Sequence, residues 1–309
     1  MCKKFYFTVL LLVSLFGLGS LYPSPDNGMD SQDTSDSDSN EHGVVETEHT
    51  TNCSCGWANK DDQRIVGGKA TKVNEYPMMA GFVYLEEDKV LCGGTIITQR
   101  HIITAAHCTE PFTPEEYGIF IGHHNYKKAK NEINLLAPEK FIEHENYDSF
   151  TLKYDISLVI MKEIIEFSKN VGPACMPKTT DLNVIKHRVK ILGWGLTRYK
   201  GKTSDTLLKV NVDVQEFNTC VEKNIHLELQ DIHQLCTFRK SKDSCSGDSG
   251  GPLLWVDPDT NRYTLVALTS YGTNCAKYPA VNSDITYFLY WIQQKIAETD
   301  STMRTCAKN

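Results

Sequence analysis

Short apolar runs separated by turn residues recur along most of the chain, at 78–85, 90–98, 117–121, 156–161, 189–192, 207–214, 252–256 and 263–269. Runs of this length bounded by Gly, Asn, Asp and Pro predict strands, and many of them in succession predict an all-β barrel or sandwich. One stretch has a different period. Ile285, Phe288, Leu289, Ile292 and Ile296 fall on one face of a helix over 285–297, with Ser283 or Asp284 placed to cap it. A single stripe of this kind predicts a helix docked on the core.

The amino-terminal pattern is unlike the rest. Lys3 and Lys4 precede an apolar run over 5–18 that ends among Gly17, Gly19 and Ser20, which predicts a signal peptide over 1–20 and a secreted, extracellular protein. The run is short for a membrane span. Residues 21–50 are rich in Ser, Asp, Thr and Glu without apolar periodicity, so they cannot bury enough surface to offset ordering entropy and are expected to be disordered. The formal charge of −7 originates here: 21–64 holds ten acidic and two basic side chains, and 65–309 holds twenty-nine and twenty-eight. The near-neutral remainder predicts no nucleic-acid or membrane partner.

Eleven cysteines less Cys2 leave an even ten, suited to disulfides in an oxidising compartment. Zinc is the competing use. Cys53-Ser-Cys55 has no matching downstream ligand pair and the chain has no HExxH, so no metal and no other cofactor is expected. Asn52-Cys-Ser54 is an N-glycosylation sequon.

The chemistry is densest at 243–252, DSCSGDSGGP. Ser249 lies among Gly247, Gly250 and Gly251, which add no side-chain bulk and free the backbone for unusual φ values. A serine hydroxyl needs a base to become nucleophilic, and the oxyanion formed needs aimed N–H donors, which Gly247 and Ser249 can supply. GDSGG also satisfies the nucleophile-elbow pattern, in which acid and histidine follow the serine. No histidine follows Ser249, so the base must lie upstream. His107 in TAAHC is the candidate, and Asp155 heads the apolar run YDISLVIM, where a carboxylate entering a core must be paired or hydrogen-bonded.

With that order in place, the chain resembles the chymotrypsin/trypsin family of serine endopeptidases over about 64–297. The resemblance rests on RIVGG at 64–68, TAAHC at 104–108, DISL at 155–158, GWG at 193–195 and GDSGGP at 247–252, all in the family's order. It implies two six-stranded antiparallel β-barrels with a C-terminal helix, joined near 175–177, with the active site between them. His107, Asp155 and Ser249 would be the catalytic triad, and the N–H groups of Gly247 and Ser249 the oxyanion hole. It further implies a monomeric zymogen. Cleavage after Arg64 would free the Ile65 ammonium to fold inward and pair with Asp248, dividing the chain into a 21–64 propeptide and a 65–309 peptidase domain. Leaving a buried carboxylate unpaired costs roughly 3–5 kcal/mol, which gives such a switch its basis.

The resemblance also implies Cys92–Cys108, Cys220–Cys236 and Cys245–Cys275 within the catalytic unit, and Cys175 joined to a propeptide cysteine, Cys55. Cys53 and Cys306 then remain to pair. Asp243 would form the base of a pocket for Arg or Lys, beside Ser244, Ser270, Gly272 and Ala280. Expected partners are protein and peptide substrates, an activating trypsin-like protease, and serpins or other protein inhibitors. Ala280 and Asn274 stand where the family has glycines, and Tyr271 where it has tryptophan, which places the pocket's breadth in question. His123 and His124 precede a basic polar stretch and are read as part of a solvated loop. The family's calcium loop would need acidic ligands at both 123 and 132, and position 123 is not acidic. The 198–202 loop, RYKGK, offers a site for self-cleavage. Non-catalytic homologues that bind partners through the same fold usually lack a triad residue, and all three are present here.

Overall fold

A computed structural model describes residues 50–59, 69–129, 135–197, 201–223, 231–240, 247–272 and 277–309. The expectations placed on 1–49, Arg64, Ile65, Asp243, Ser244, Asn274, the Cys245–Cys275 bridge and most of the 198–202 loop lie outside these residues.

The described strands are β1 (Lys69–Ala70), β2 (Met79–Tyr84), β3 (Lys89–Ile96), β4 (His101–Thr104), β5 (Tyr117–Ile121), β6 (Pro138–Glu143), β7 (Ser157–Met161), β8 (Arg188–Gly193), β9 (Leu208–Gln215), β10 (Gln234–Phe238), β11 (Pro252–Asp257), β12 (Arg262–Gly272) and β13 (Ala280–Asp284). The first sheet runs β5-β2-β3-β4-β7-β6, and a bridge from Ile119 to Leu136 draws its two edges together. In the second, β9-β10-β13-β12-β11-β8 closes on itself through β8–β9 pairing, and β1 is appended to β9. All pairings between these strands are antiparallel. The architecture is the expected pair of six-stranded barrels.

Each apolar run of the sequence lies on a strand because its alternate side chains fill a barrel. Phe82, Ile96, Tyr117 and Val159 pack inside the first barrel, and Val189, Ile191, Val212 and Val266 inside the second. A third cluster crosses the seam, joining Ile103, Ile156 and Leu158 to Leu254, Leu265 and Leu268 and then to the final helix. That helix, Ile285–Thr299, buries Ile285, Phe288, Leu289, Ile292 and Ile296, and Asp284 caps it by accepting from Thr286 N–H at 2.8 Å. It is denoted α3, after the four-residue helices α1 (Tyr126–Ala129) and α2 (Asn218–Val221).

Five strands carry no apolar run in the sequence: β1, β4, β6, β10 and β13. β1 has only two residues, and β6 begins at an edge-compatible proline and exposes Glu139 and Lys140. β10 and β13 bury polar side chains, and Asn282 joins the two strands by donating to Leu235 O at 3.1 Å and to Thr237 Oγ1 at 3.0 Å.

Residues 50–59 are built into the fold. Gly56 sits between two backbones, donating to Pro173 O and accepting from Tyr263 N–H, each at 2.8 Å. Its φ of +64°, and a Cβ position only 2.5 Å from Tyr263 O, require glycine. Ala58 joins the seam cluster, and the Trp57 ring lies where a side chain on Gly172 would be. Disulfides Cys55–Cys175 and Cys53–Cys306 tie this segment to the inter-barrel connection and to the C-terminal tail, where Thr51 bridges Lys308. Asn52 is exposed, and its side-chain oxygen accepts from Ala307 N–H at 2.8 Å. Cys92–Cys108 and Cys220–Cys236 complete the described bridges.

Candidate active site

His107 lies on a single 3-10 turn, Ala106–Cys108, directly after β4. The Cys92–Cys108 bridge fastens that turn to β3. Asp155 lies two residues before β7 and is 1% exposed. Its carboxylate is paired on both oxygens. Oδ1 accepts from the backbone N–H of His107 at 2.9 Å, and Oδ2 lies 2.7 Å from His107 Nδ1. The Ser270 hydroxyl donates to Oδ2 at 2.5 Å, and the Ser283 hydroxyl donates to the backbone oxygen of Asp155 at 2.6 Å. A buried carboxylate held this way is not an orphan charge. With Nδ1–H committed to Asp155, Nε2 is the nitrogen left to exchange a proton. Burial of the ring opposes its charged form, but the hydrogen bond and charge of Asp155 outweigh it and raise the His107 pKa above the ordinary histidine value.

Ser249 is half-buried on the turn leading into β11, on the second barrel. Its carbonyl accepts from Gly93 N–H at 2.8 Å, and Gly250 donates to Thr269 O at 2.8 Å. Gly250 has φ +71°, and a Cβ there would sit 2.7 Å from Gly93 O and 3.0 Å from Ala105 N, against the Thr104 hydroxyl. Gly93 and Gly251 approach as closely across the seam. The glycines thus press the serine turn onto the backbone that leads into His107. His107 and Asp155, on separate elements of the first barrel, are hydrogen-bonded to each other, and the Ser249 turn of the second barrel packs against the backbone at Gly93 and Ala105.

Asp248 turns away from Ser249 toward the GWG segment. Gly195 N–H donates to Asp248 Oδ1 at 2.8 Å, and a Cβ on Gly195 would lie 2.6 Å from the carboxylate. Gly247, at φ +97°, has its Cβ position 2.9 Å from the Gly195 Cα. The two glycines of GWG leave space for an acid and a turn. Trp194 between them packs edge-on against Phe120 and donates to His124 O at 3.2 Å.

That contact revises the reading of the histidine pair. His123 is exposed, but His124 is half-buried: its Nδ1 lies 2.9 Å from Thr71 Oγ1 and its carbonyl accepts from Leu207 N–H at 2.8 Å. Burial lowers its pKa, with the Glu75 charge opposing. The apparent polarity of 123–131 hid a residue whose backbone and ring are both used to join β1 to β9.

Of the residues assigned to substrate, Gly272 and Ala280 face each other in the β12–β13 register, with the Gly272 Cβ position 3.4 Å from the Ala280 methyl. Ser270 lies two residues from Gly272, and its hydroxyl is directed to Asp155, a contact the sequence reading did not foresee. In the sequence Ser283 reads only as a candidate helix cap beside Asp284. Tyr271 between Ser270 and Gly272 is pushed up to about 12, chiefly by burial.

Cys92, His107 and Cys108 bring metal-ligating atoms within 4.8 Å of one another. Both sulfurs are spent in a disulfide, so the set lacks the thiolates a metal would need. Among the described residues, no helix is long and apolar enough to cross a membrane.

Residues 65–292 match the Trypsin family model. A venom serine protease of Polistes dominula is 38% identical over 257 residues, covering 80% of this chain and 90% of the relative. Venom serine protease 34 of Apis mellifera is 34% identical over 265 residues, covering 83% of this chain, which spans only 64% of that relative's length. Serine protease grass of Drosophila melanogaster is 33% identical over 271 residues, covering 80% of this chain and 71% of the relative. The extent of the family match, together with this identity, establishes that the chain belongs to the trypsin family of serine proteases.

Proposed function

We propose that the chain is a secreted serine endopeptidase, made as a zymogen, activated by cleavage between Arg64 and Ile65, and hydrolysing peptide bonds after Arg or Lys. The observation that carries this reading is the Asp155–His107 pair, 2.7 Å apart, with the Ser249 turn seated against the same backbone. In this reading His107 Nε2 takes the Ser249 proton as the hydroxyl attacks the scissile carbonyl, and Asp155 stabilises the imidazolium. The tetrahedral oxyanion accepts from Gly247 and Ser249 N–H, each worth on the order of 3 kcal/mol. His107 then protonates the leaving amine, and water releases the acyl group by the reverse steps.

Asp248, half-buried and accepting from Gly195 N–H, is the natural anchor for a freed Ile65 ammonium, and its rearrangement would carry Gly247 with it. Asp243, six residues before Ser249, would select Arg over Lys through a bidentate contact. Proteins and peptides are the substrates; an upstream trypsin-like protease is the activator. The venom protease relatives support an extracellular setting.

The test is to cut purified zymogen at Arg64 with trypsin, remove the trypsin, and follow arginyl, lysyl and phenylalanyl amides beside a Ser249→Ala control. Hydrolysis after Arg and Lys is expected only in the cut wild type. Silence from correctly cut, folded protein would instead fit a non-catalytic homologue that binds partners through this fold.

A further inference from the structure

Tyr154, the residue before Asp155, has a backbone φ of +56°. The left-handed region is uncommon for a bulky residue, because Cβ crowds the adjoining carbonyl, and it persists where the surroundings over-determine it. Here the surroundings are rings. His144 stacks on the tyrosine with centroids 5.0 Å apart and planes at 20°, and His233 stacks on it at 4.3 Å and 4°. Phe288 meets it edge-on at 6.2 Å, and the Tyr287 ring lies tilted 6.3 Å away.

These rings come from three parts of the fold. His144 directly follows β6 of the first barrel, His233 directly precedes β10 of the second, and Tyr287 and Phe288 lie on the first turn of α3. The backbone is tied at the same place: Ile156 N–H donates to Tyr154 O at 2.8 Å, His144 N–H to Ile156 O at 3.0 Å, and Asp284 N–H to His233 O at 3.0 Å. Lys153 adds an ion pair with the buried Asp231 carboxylate at 2.9 Å. Residues 153–154 are therefore held by 231–233, just as the next residue, Asp155, is held by Ser270 and Ser283. A one-residue shift in this turn would rotate the Asp155 carboxylate away from His107.

We propose that Tyr154 is a positioning residue for Asp155, its ring stack with His144 and His233 fixing the left-handed turn that aims the carboxylate at His107. The proposal rests on the reading of Asp155 as a member of the catalytic triad. It adds a residue that touches neither substrate nor the reacting atoms and acts only through its neighbour.

The test compares Tyr154→Phe with Tyr154→Ala in two ways: kcat and KM of the activated full chain on an arginyl amide, and the His107 pKa from NMR titration in a Ser249→Ala background. Tyr154→Phe keeps the stacked ring and is expected to stay within about twofold of wild type in kcat. Tyr154→Ala should lower kcat at least tenfold with KM nearly unchanged, and His107 should titrate lower as its Asp155 contact loosens. A folded Tyr154→Ala with wild-type kcat and His107 titration overturns the proposal; so does an equal loss in Tyr154→Phe, which would assign the effect to the hydroxyl. If Tyr154→Ala does not fold, His233→Leu removes one stacked ring and keeps Tyr154, and the same two readouts decide. An inactive wild type would refute the protease reading alone, since the NMR titration measures the positioning without turnover.

Discussion

The hydroxyl of Ser270 donates to Asp155 Oδ2 at 2.5 Å, the same oxygen that faces His107 Nδ1. One serine on the second barrel thereby sets an acid on the first. Ser270→Ala leaves Oδ2 with His107 as its remaining side-chain partner in a buried site. It should cost about 1–3 kcal/mol of stability and lower kcat by roughly tenfold, measurable by urea unfolding and amide hydrolysis.

His107 has its pKa raised through Asp155 against the effect of burial. As a base it must be neutral, so kcat/KM should rise with pH through a midpoint above the ordinary histidine value and fall off below it. Asp155→Asn removes the charge and fixes the wrong tautomer; it should move the midpoint down and lower kcat by about 10⁴. A pH–rate profile of both proteins checks this.

His101 is fully buried between Thr98 Oγ1, 2.7 Å from Nδ1, and Thr299 Oγ1, 2.9 Å from Nε2, which links β4 to the end of α3. Burial lowers its pKa to about 4, with Asp300 opposing and Arg100 reinforcing. The unfolded chain, with a histidine near 6.5, binds the proton first. Stability should therefore be fully present above about pH 6.5 and decline by about 3 kcal/mol as pH falls toward 4. His101→Asn should flatten that part of a stability–pH curve obtained by chemical denaturation.

Gly250 occupies φ +71° with its Cβ position against Thr104, Gly93 and Ala105. Gly250→Ala adds both backbone strain and a clash at the seam. A loss of at least about 2 kcal/mol is expected, with activity falling further because the Ser249 turn must move away from His107. Thermal melting and amide hydrolysis report the two effects separately.

Residues 50–59 hold two disulfides and a buried alanine, so cleavage at Arg64 should not release them. On gels, cut protein should migrate as one species without reductant and as two with it. Cys306→Ser should still retain the segment through Cys55–Cys175, and Cys306→Ser with Cys175→Ser should release it under denaturing, non-reducing conditions.

The sequence by itself determined the residues whose chemistry is local. The short apolar runs became β2, β3, β5, β7, β8, β9, β11 and β12, and the helical stripe became α3, because a continuous apolar run between turn residues and a stripe at helical spacing each mark a segment that must be buried. His107, Asp155 and Ser249 stood out because a glycine-lined serine, a histidine upstream of it and an acid heading an apolar run each carry their peculiarity within a few residues. Polar strands did not. β10 and β13 bury Thr237, Asn282 and Ser283, whose acceptability depends on partners in another strand, so no local pattern announces them.

Tertiary structure alone decided which groups meet. Ser270 and Ser283 reach Asp155 across sequence separations of 115 and 128 residues, and Tyr154 finds its ring partners on three elements. His124, polar in sequence, is drawn into the seam for the same reason, as are Gly56 and Ala58 from a segment that borders an acidic leader. A side chain's own chemistry is written at its position. Its partner is fixed by how two barrels pack, and that is a property of the whole chain.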